Sequence, residues 1–224
     1  MSALVEIAAV VERWRRDPAA FVREALQAAP SGQQEAALRA FAHPGARVAI
    51  KSGHGTGKST LMSWLILWAL CCFTDVKCPV TAPTAHQLQD VRKWGERLPS
   101  LWRNELEVTA DIIRFKSCPS FAVARTGRKE NPEALQGFHA GNLMFFVDEA
   151  SGIDDVVFQV AQGALSTPGS RIIMAANPTR TSGYFYNAFH RDRDRWTRFT
   201  FSCLESPHVA PEYARGIAES YGEG

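Results

Sequence analysis

Residues 52–59 read Ser-Gly-His-Gly-Thr-Gly-Lys-Ser, one residue away from the phosphate-binding pattern G-x-x-x-x-G-K-[ST]. Each residue type in that pattern has a task. Glycine lets successive backbone N–H groups turn toward an anion without a Cβ in the way. Lys58 supplies a point charge for β- and γ-phosphates, and the Ser59 hydroxyl is a hard oxygen suited to Mg²⁺. The departure is Ser52, which stands where the pattern has its first glycine; Gly53 and Gly55 supply the freedom instead. The spacing nominates Ser52, Gly53, His54, Gly55, Thr56, Gly57, Lys58, Ser59 and Thr60 as the cradle of a nucleotide's phosphates.

A second group of candidates is Asp148-Glu149, at the end of the apolar run Leu143-Met144-Phe145-Phe146-Val147. Taken alone, an acidic strand end is an ordinary solvated feature. Downstream of a phosphate loop it reads as that loop's acidic partner (a Walker B element). Asp148 would then hold the Mg²⁺ shell, and Glu149 would orient and deprotonate an attacking water. Asn177-Pro178 ends the next apolar run. It reads equally as a plain turn, Asn-Pro being a common turn dipeptide, or as a carboxamide within reach of the γ-phosphate. Gln34 precedes Ala36-Ala37-Leu38 and has an amide able to meet an adenine edge; by residue type alone it is a helical surface Gln.

These side chains need elements to position them. Leu4, Ile7, Val11 and Trp14 recur at helical spacing over residues 2–16. Asp17-Pro18 reads as an N-cap followed by proline at the first helical position, opening a helix over 18–28. Pro30-Ser31-Gly32 breaks it, and 33–41 is a third short helix. Residues 47–50 form a β-rich run, the glycine loop follows, and 58–73 is a long apolar helix. Further strands are expected at 79–82, 143–147, 171–175 and 197–203, with helices over 84–97, 153–165, 182–190 and 212–221. Residues 105–108, 112–116 and 121–124 read as antiparallel strands, with Ala110-Asp111 at a hairpin turn. Strands alternating with helices imply an α/β core with a largely parallel sheet.

Composition narrows the alternatives. Of 224 residues, 46% are hydrophobic and 21% charged, which suits a globular chain and excludes disorder or a fibrous repeat. Lys and Arg total 25 against 23 Asp and Glu, a net charge of +2 that excludes a histone-like field. The five cysteines, Cys71, Cys72, Cys78, Cys118 and Cys203, form no C-x-x-C pair, so neither a disulfide framework nor a zinc site is supported. His86 and His139 lack a second ligand at useful spacing. The charged start is not a signal peptide, and residues 61–73 are too short a run to span a membrane. Arg191-Asp192-Arg193-Asp194-Arg195 reads as a solvated, self-paired segment, and Trp64 and Trp68 as core.

The order of these motifs resembles that of the terminase large subunits of tailed phages, the ATPase motors that package DNA. The resemblance runs from about Ser31 to Tyr221 and is carried by KSGHGTGKST, VTAPTAHQLQDV, EALQGFHAGNLMFFVDEASGI and MAANPTRTSGYFYNAF. It implies a P-loop NTPase of the ASCE/RecA-like kind, with a mostly parallel central sheet, a small antiparallel β extension and N-terminal helices. It implies residues 1–43 as a helical segment with the Q-motif, 44–205 as the ATPase core, and 206–224 as a linker toward a nuclease domain. Implied roles are Gln34 as adenine reader, Asn177 as γ-phosphate sensor, and ATP with Mg²⁺ as cofactors. Implied partners are double-stranded DNA, the portal protein, the small terminase subunit and further copies in a homo-oligomeric ring, within the host cytoplasm. An arginine finger is expected from Arg125 or Arg128, acting in trans, since His54 fills a P-loop position that is basic in some family members. Gln34, the loop, Thr81-Ala82-Pro83-Thr84 and Asp148-Glu149 also resemble the first RecA-like lobe of a superfamily 2 helicase, the alternative reading.

Overall fold

The computed structural model describes residues 3–82, 88–126, 140–213 and 215–216. Its strands are β1 (Arg47–Ser52), β2 (Val76–Ala82), β3 (Leu106–Val108), β4 (Ile112–Phe115), β5 (Phe121–Thr126), β6 (Asn142–Asp148), β7 (Arg171–Ala176) and β8 (Thr197–Phe201). They form one sheet in the order β3-β4-β5-β2-β6-β7-β1-β8. From β5 to β8 every neighbouring pair is parallel. At one edge β4 runs antiparallel to both of its neighbours, β3 and β5, and β3 and β4 extend the sheet there.

The central strands are apolar along their length because both faces are covered. Side chains alternate between two cores. Val48, Ile50, Met144, Phe146, Ile173 and Ala175 face one of them. Ala49, Phe145, Val147, Ile172, Met174 and Ala176 face the other. On the first face lies α4 (Lys58–Cys72), every residue of which from Leu61 to Cys72 is buried. It is apolar all round because it is enclosed, by the sheet on one side and by α1 (Ala3–Arg16), α2 (Pro18–Glu24), α3 (Gly32–Ala42) and α5 (Gln89–Gly95) on the others. A short helix, α6 (Ser100–Arg103), leads into β3. On the second face Phe158 of α7 (Asp155–Ala164) and Phe185 of α8 (Tyr184–Asn187) pack with Trp196.

Local chemistry starts the N-terminal helices, at Asp17 as expected and at Ser31 by a cap that the Pro-Ser-Gly break did not announce. Asp17 accepts from the Ala19 N–H ahead of Pro18. Ser31 accepts from the Gln34 N–H, and the Gln34 side chain returns the bond to the Ser31 N–H, a capping box. Other expectations shift. The helix over 18–28 ends at Glu24, and Gln27 takes a left-handed φ of 49°. The helix over 153–165 starts later, because Asp154 caps it and Ala150–Gly152 forms a separate 3-10 turn. The helix over 182–190 shrinks to Tyr184–Asn187, with turns beyond it. The first part of the helix over 84–97 lies outside the described residues, as does most of the helix over 212–221. Among the described residues no helix is long and apolar enough to cross a membrane.

Candidate active site

The topology brings three loops to one edge. In the sheet β7 lies between β1 and β6, and all three are parallel, with Lys51 opposite Ala176 and Ala175 opposite Asp148. The segments after Ser52, Asp148 and Ala176 therefore emerge side by side at the C-terminal ends of their strands. They enclose a cavity of about 340 Å³ lined by His54, Lys58, Ser59, Asp148, Glu149 and Asn177, among others.

The glycine loop is held by its carbonyls. Gly53 O accepts from Lys58 Nζ at 2.9 Å and from Ser52 Oγ at 2.9 Å. Ser52 Oγ in turn lies 2.7 Å from Thr56 Oγ1. His54 O accepts from the Cys203 thiol at 3.4 Å, Gly55 O from Ser206 Oγ at 3.3 Å, and Gly57 O from Gln34 Nε2 at 3.1 Å. With these carbonyls fixed by side-chain donors, the loop is organised to offer its amides to an anion. Gly57 enters α4 at a φ of +83°, and a Cβ there would meet Gln34 Nε2 at 2.5 Å. A Cβ on Gly53 would meet Cys203 Sγ at 2.4 Å. The left-handed φ favours glycine at Gly57, and at Gly53 a Cβ would displace the Cys203 thiol from the loop. Ser52 is buried and serves as an internal brace, which is why the pattern tolerates it there.

The charged groups converge. Lys58 Nζ donates to Asn177 Oδ1 at 2.8 Å, and Asn177 Nδ2 lies 2.9 and 3.1 Å from the two ring nitrogens of His54. Burial pulls the Lys58 pKa below the usual lysine value, opposed by the charges of Asp148, Cys203 and Glu149. Ser59 Oγ donates to Asp148 Oδ2 at 2.8 Å, and Asp148 Oδ1 accepts from the Glu149 N–H at 2.9 Å. Glu149 is exposed, with a left-handed φ of +50°. A non-glycine residue in that region is strained by about 1–3 kcal/mol, a cost typical of functional positions. The donor set fits Mg²⁺. A serine hydroxyl and one carboxylate oxygen touch, and Mg²⁺ needs few protein oxygens when phosphate and water complete its shell. Among the described residues no group of three or more His, Cys, Asp or Glu forms a metal cluster.

Some expected residues stand elsewhere. Gln34 is 0% exposed, and its amide is taken by Ser31 N at 2.9 Å and Gly57 O. In this arrangement it braces the loop from beneath and does not present an edge to adenine. Arg125 lies on β5, separated from β6 by β2, and its Nη1 donates to Ala124 O at 3.1 Å. It does not line the cavity of its own chain. Arg128 lies outside the described residues. Thr56 is buried inside the loop, and Thr60 faces a different cavity. Four participants carried no sequence signal. Ser151 and Thr179 join the Walker B and Asn177 loops by a hydroxyl pair at 3.0 Å, and Cys203 and Ser206 hold the glycine loop.

Glycine loop, acidic strand end and the single intervening strand define a P-loop fold of the RecA-like kind. In sequence the chain is similar to a phage terminase large subunit, and in fold to solved large terminases and their ATPase domain. The probable terminase large subunit of Enterobacteria phage P7 is 31% identical, over 94% of this chain and 47% of that protein. The chain thus spans about half the length of that relative. No family model matches. The large terminase of thermophilic bacteriophage D6E superposes with a TM-score of 0.64 at 17% identity, covering 87% of this chain and 51% of that one. The ATPase domain of the Thermus phage P74-26 large terminase gives 0.65 at 15% identity, covering 92% and 90%. A D6E structure in complex with ATP-gamma-S gives 0.53 at 16% identity, covering 79% and 45%.

Proposed function

We propose that this chain hydrolyses ATP and that the hydrolysis drives double-stranded DNA into a phage procapsid. The observation that carries the reading is the pairing of Ser59 with Asp148 at 2.8 Å beside Lys58, with Glu149 opening into the same cavity. Lys58 exchanges Gly53 O and Asn177 Oδ1 for β- and γ-phosphate oxygens, which supply the countercharge that its burial withholds. Ser59 and Asp148 would hold Mg²⁺, which when bound neutralises charge on the transferring phosphoryl group. Glu149 accepts a proton as water attacks the γ-phosphorus and the bond to the bridging oxygen breaks, leaving ADP and phosphate. Asn177, released when Lys58 turns to the phosphates, reports their presence to the loop that Thr179 ties to Ser151. Double-stranded DNA, the portal protein and the small terminase subunit are the partners this role calls for, with copies of the chain in a ring in the host cytoplasm.

Glu149→Gln should lower turnover by at least about a hundredfold while ATP binds with near-unchanged affinity, because a general base contributes about 10²–10⁴ in rate. Steady-state phosphate release and calorimetric titration read the two effects separately. Normal turnover in this variant would remove Glu149 from the mechanism. The helicase-lobe alternative is supported by the same loop and by no separate observation in this structure.

A further inference from the structure

The loop after β7 is tied down at both ends and exposed between them. At its start the Thr179 N–H and hydroxyl both donate to Ser151 Oγ, at 3.3 and 3.0 Å. At its end the Tyr184 N–H donates to Asp155 Oδ1 at 2.7 Å, and Gly183 turns at a φ of +98° against the same carboxylate. Between these ties Arg180, Thr181 and Ser182 are exposed. Residues 177–183 read Asn-Pro-Thr-Arg-Thr-Ser-Gly, which offers a cation and hydroxyls and no carboxylate. Among the described residues no ion pair engages Arg180. The catalytic cavity is lined by Asn177 and Thr179 of this loop and not by Arg180.

The chain beyond the loop has the same character. From Asn177 to Arg198 there are five arginines and two aspartates, a local excess larger than the +2 of the whole chain. Tyr184 packs edge to face on Trp196, with centroids 6.1 Å apart, which draws the arginine-rich segment back beside the loop's end. The Arg191 pKa is raised by its bond to Asp192 and also by the charge of Asp155, the carboxylate that holds Tyr184. Arg191 and Arg193 pair with their sequence neighbours Asp192 and Asp194, at 3.1 and 3.8 Å. Exposed pairs of that kind contribute little and give way to a stronger anion. Guanidinium and hydroxyl donors on a braced turn suit phosphate oxygens, and a row of them suits a polyanion better than a single phosphate.

We infer that Arg180, Thr181 and Ser182, continued by Arg191, form a contact for the phosphate backbone of double-stranded DNA. The inference rests on the reading of this chain as a DNA-translocating ATPase and names a surface for that role. Phosphate oxygens carry no base identity, so the contact is blind to sequence, as movement along any duplex requires. Bracing from both ends leaves the tip little freedom to lose on binding. Only Pro178 and Thr179 separate Arg180 from Asn177, so the contact stands beside the catalytic cavity.

The test titrates fluorescent DNA duplexes of unrelated sequence with the full chain, by anisotropy, over a range of salt concentrations. The wild-type chain should bind them with equal affinity, and the logarithm of the binding constant should fall linearly with that of the salt concentration. Arg180→Ala should weaken every duplex by the same factor and make the salt slope shallower by about 1, and adding Arg191→Ala should remove about 1 more. Arg180→Lys should keep the wild-type slope. ATP affinity and turnover without DNA should stay at wild-type values in all three. If the wild-type chain binds duplex and Arg180→Ala keeps its affinity and slope, DNA lies on another face, and the inference fails with the DNA reading intact; a tip made for an acidic protein segment gives this result. If Arg180→Ala lowers ATP affinity or DNA-free turnover to the same extent as duplex binding, Arg180 belongs to the nucleotide site and the inference fails. If the wild-type chain binds no duplex at low salt, the reading of this chain as a DNA translocase fails and takes the inference with it.

Discussion

Lys58 is pulled in two directions: burial lowers its pKa, and Asp148, Cys203 and Glu149 raise it, with burial prevailing. Two opposite pH trends follow. The charged amine is the form that holds phosphate, so ATP affinity should fall as pH rises through the lowered value, before an ordinary lysine at 10.5 would titrate. Stability should move the other way. Between the lowered value and 10.5 the unfolded chain binds more protons than the folded one, and stability therefore rises with pH across that window. Calorimetry and urea midpoints measured from neutral pH upward should show both trends, and Lys58→Met should abolish both. Persistence in that variant would assign them to another group. Gln34 yields a second prediction at this scale. Gln34→Ala removes half of a capping box and leaves Gly57 O without its donor, so it should cost about 2–3 kcal/mol in urea unfolding. It should also weaken tripolyphosphate and ATP by the same factor, because it loosens the cradle. A loss confined to ATP would instead return Gln34 to the role of adenine reader.

Helix ends show a role for arginine that spacing does not reveal. Arg171, buried at the start of β7, donates to His43 O and Ala42 O at 3.1 Å each and so closes the C-terminus of α3. Burial pushes its pKa down to about 10. Arg15 donates twice to Cys72 O, at 2.9 and 2.7 Å, and closes α4 in the same way. Arg171→Met should therefore cost about 2–3 kcal/mol by urea unfolding, since bonds from a charged donor to buried carbonyls are worth that much. A change under about 0.5 kcal/mol, the range of ordinary surface substitutions, would show that water replaces the guanidinium. The same elements mark what could be read in advance. The loop and the acidic strand end were legible because phosphate chemistry demands particular residues next to a strand or helix end, whereas Asn177 read equally as a plain turn until the resemblance gave it a role. The cap at Asp17 was legible because Pro18 follows it directly, whereas Ser31 read only as part of a helix break and its capping box with Gln34 emerged from the fold. Arg171 and Arg15 were not legible, since their partners are more than fifty residues away in the chain. Cys203 and Ser206 were hidden for the same reason: only the pairing of β8 with β1 carries them to the loop. Gln34 was legible as a residue of the site but not in its orientation, because its neighbour Gly57 is brought to it by the fold.

At the scale of the whole molecule the site is short of one charge. Among the described residues, Lys58 is the only Lys or Arg lining the catalytic cavity. Phosphoryl transfer gains about 10³–10⁵ in rate from an arginine that meets the developing charge. Arg125 stands at the end of β5, and two strand spacings of about 4.8 Å separate β5 from β6, so its backbone lies roughly 10 Å from the Walker B strand. Its guanidinium rests on its own strand's carbonyl and, among the described residues, makes no ion pair. An arginine placed so can serve a neighbour's site more readily than its own. ATP turnover per chain should then climb with protein concentration in the wild-type chain. In Arg125→Ala it should stay flat and low, with ATP affinity retained. The decisive measurement mixes Arg125→Ala with Glu149→Gln, each inactive alone. Activity should reappear in the mixture if Arg125 reaches across a boundary, since some interfaces then join an intact glutamate to an intact arginine. A mixture no more active than its components, with Arg125→Ala alone as active as wild type, would clear Arg125 and leave Arg128 as the residue to replace next.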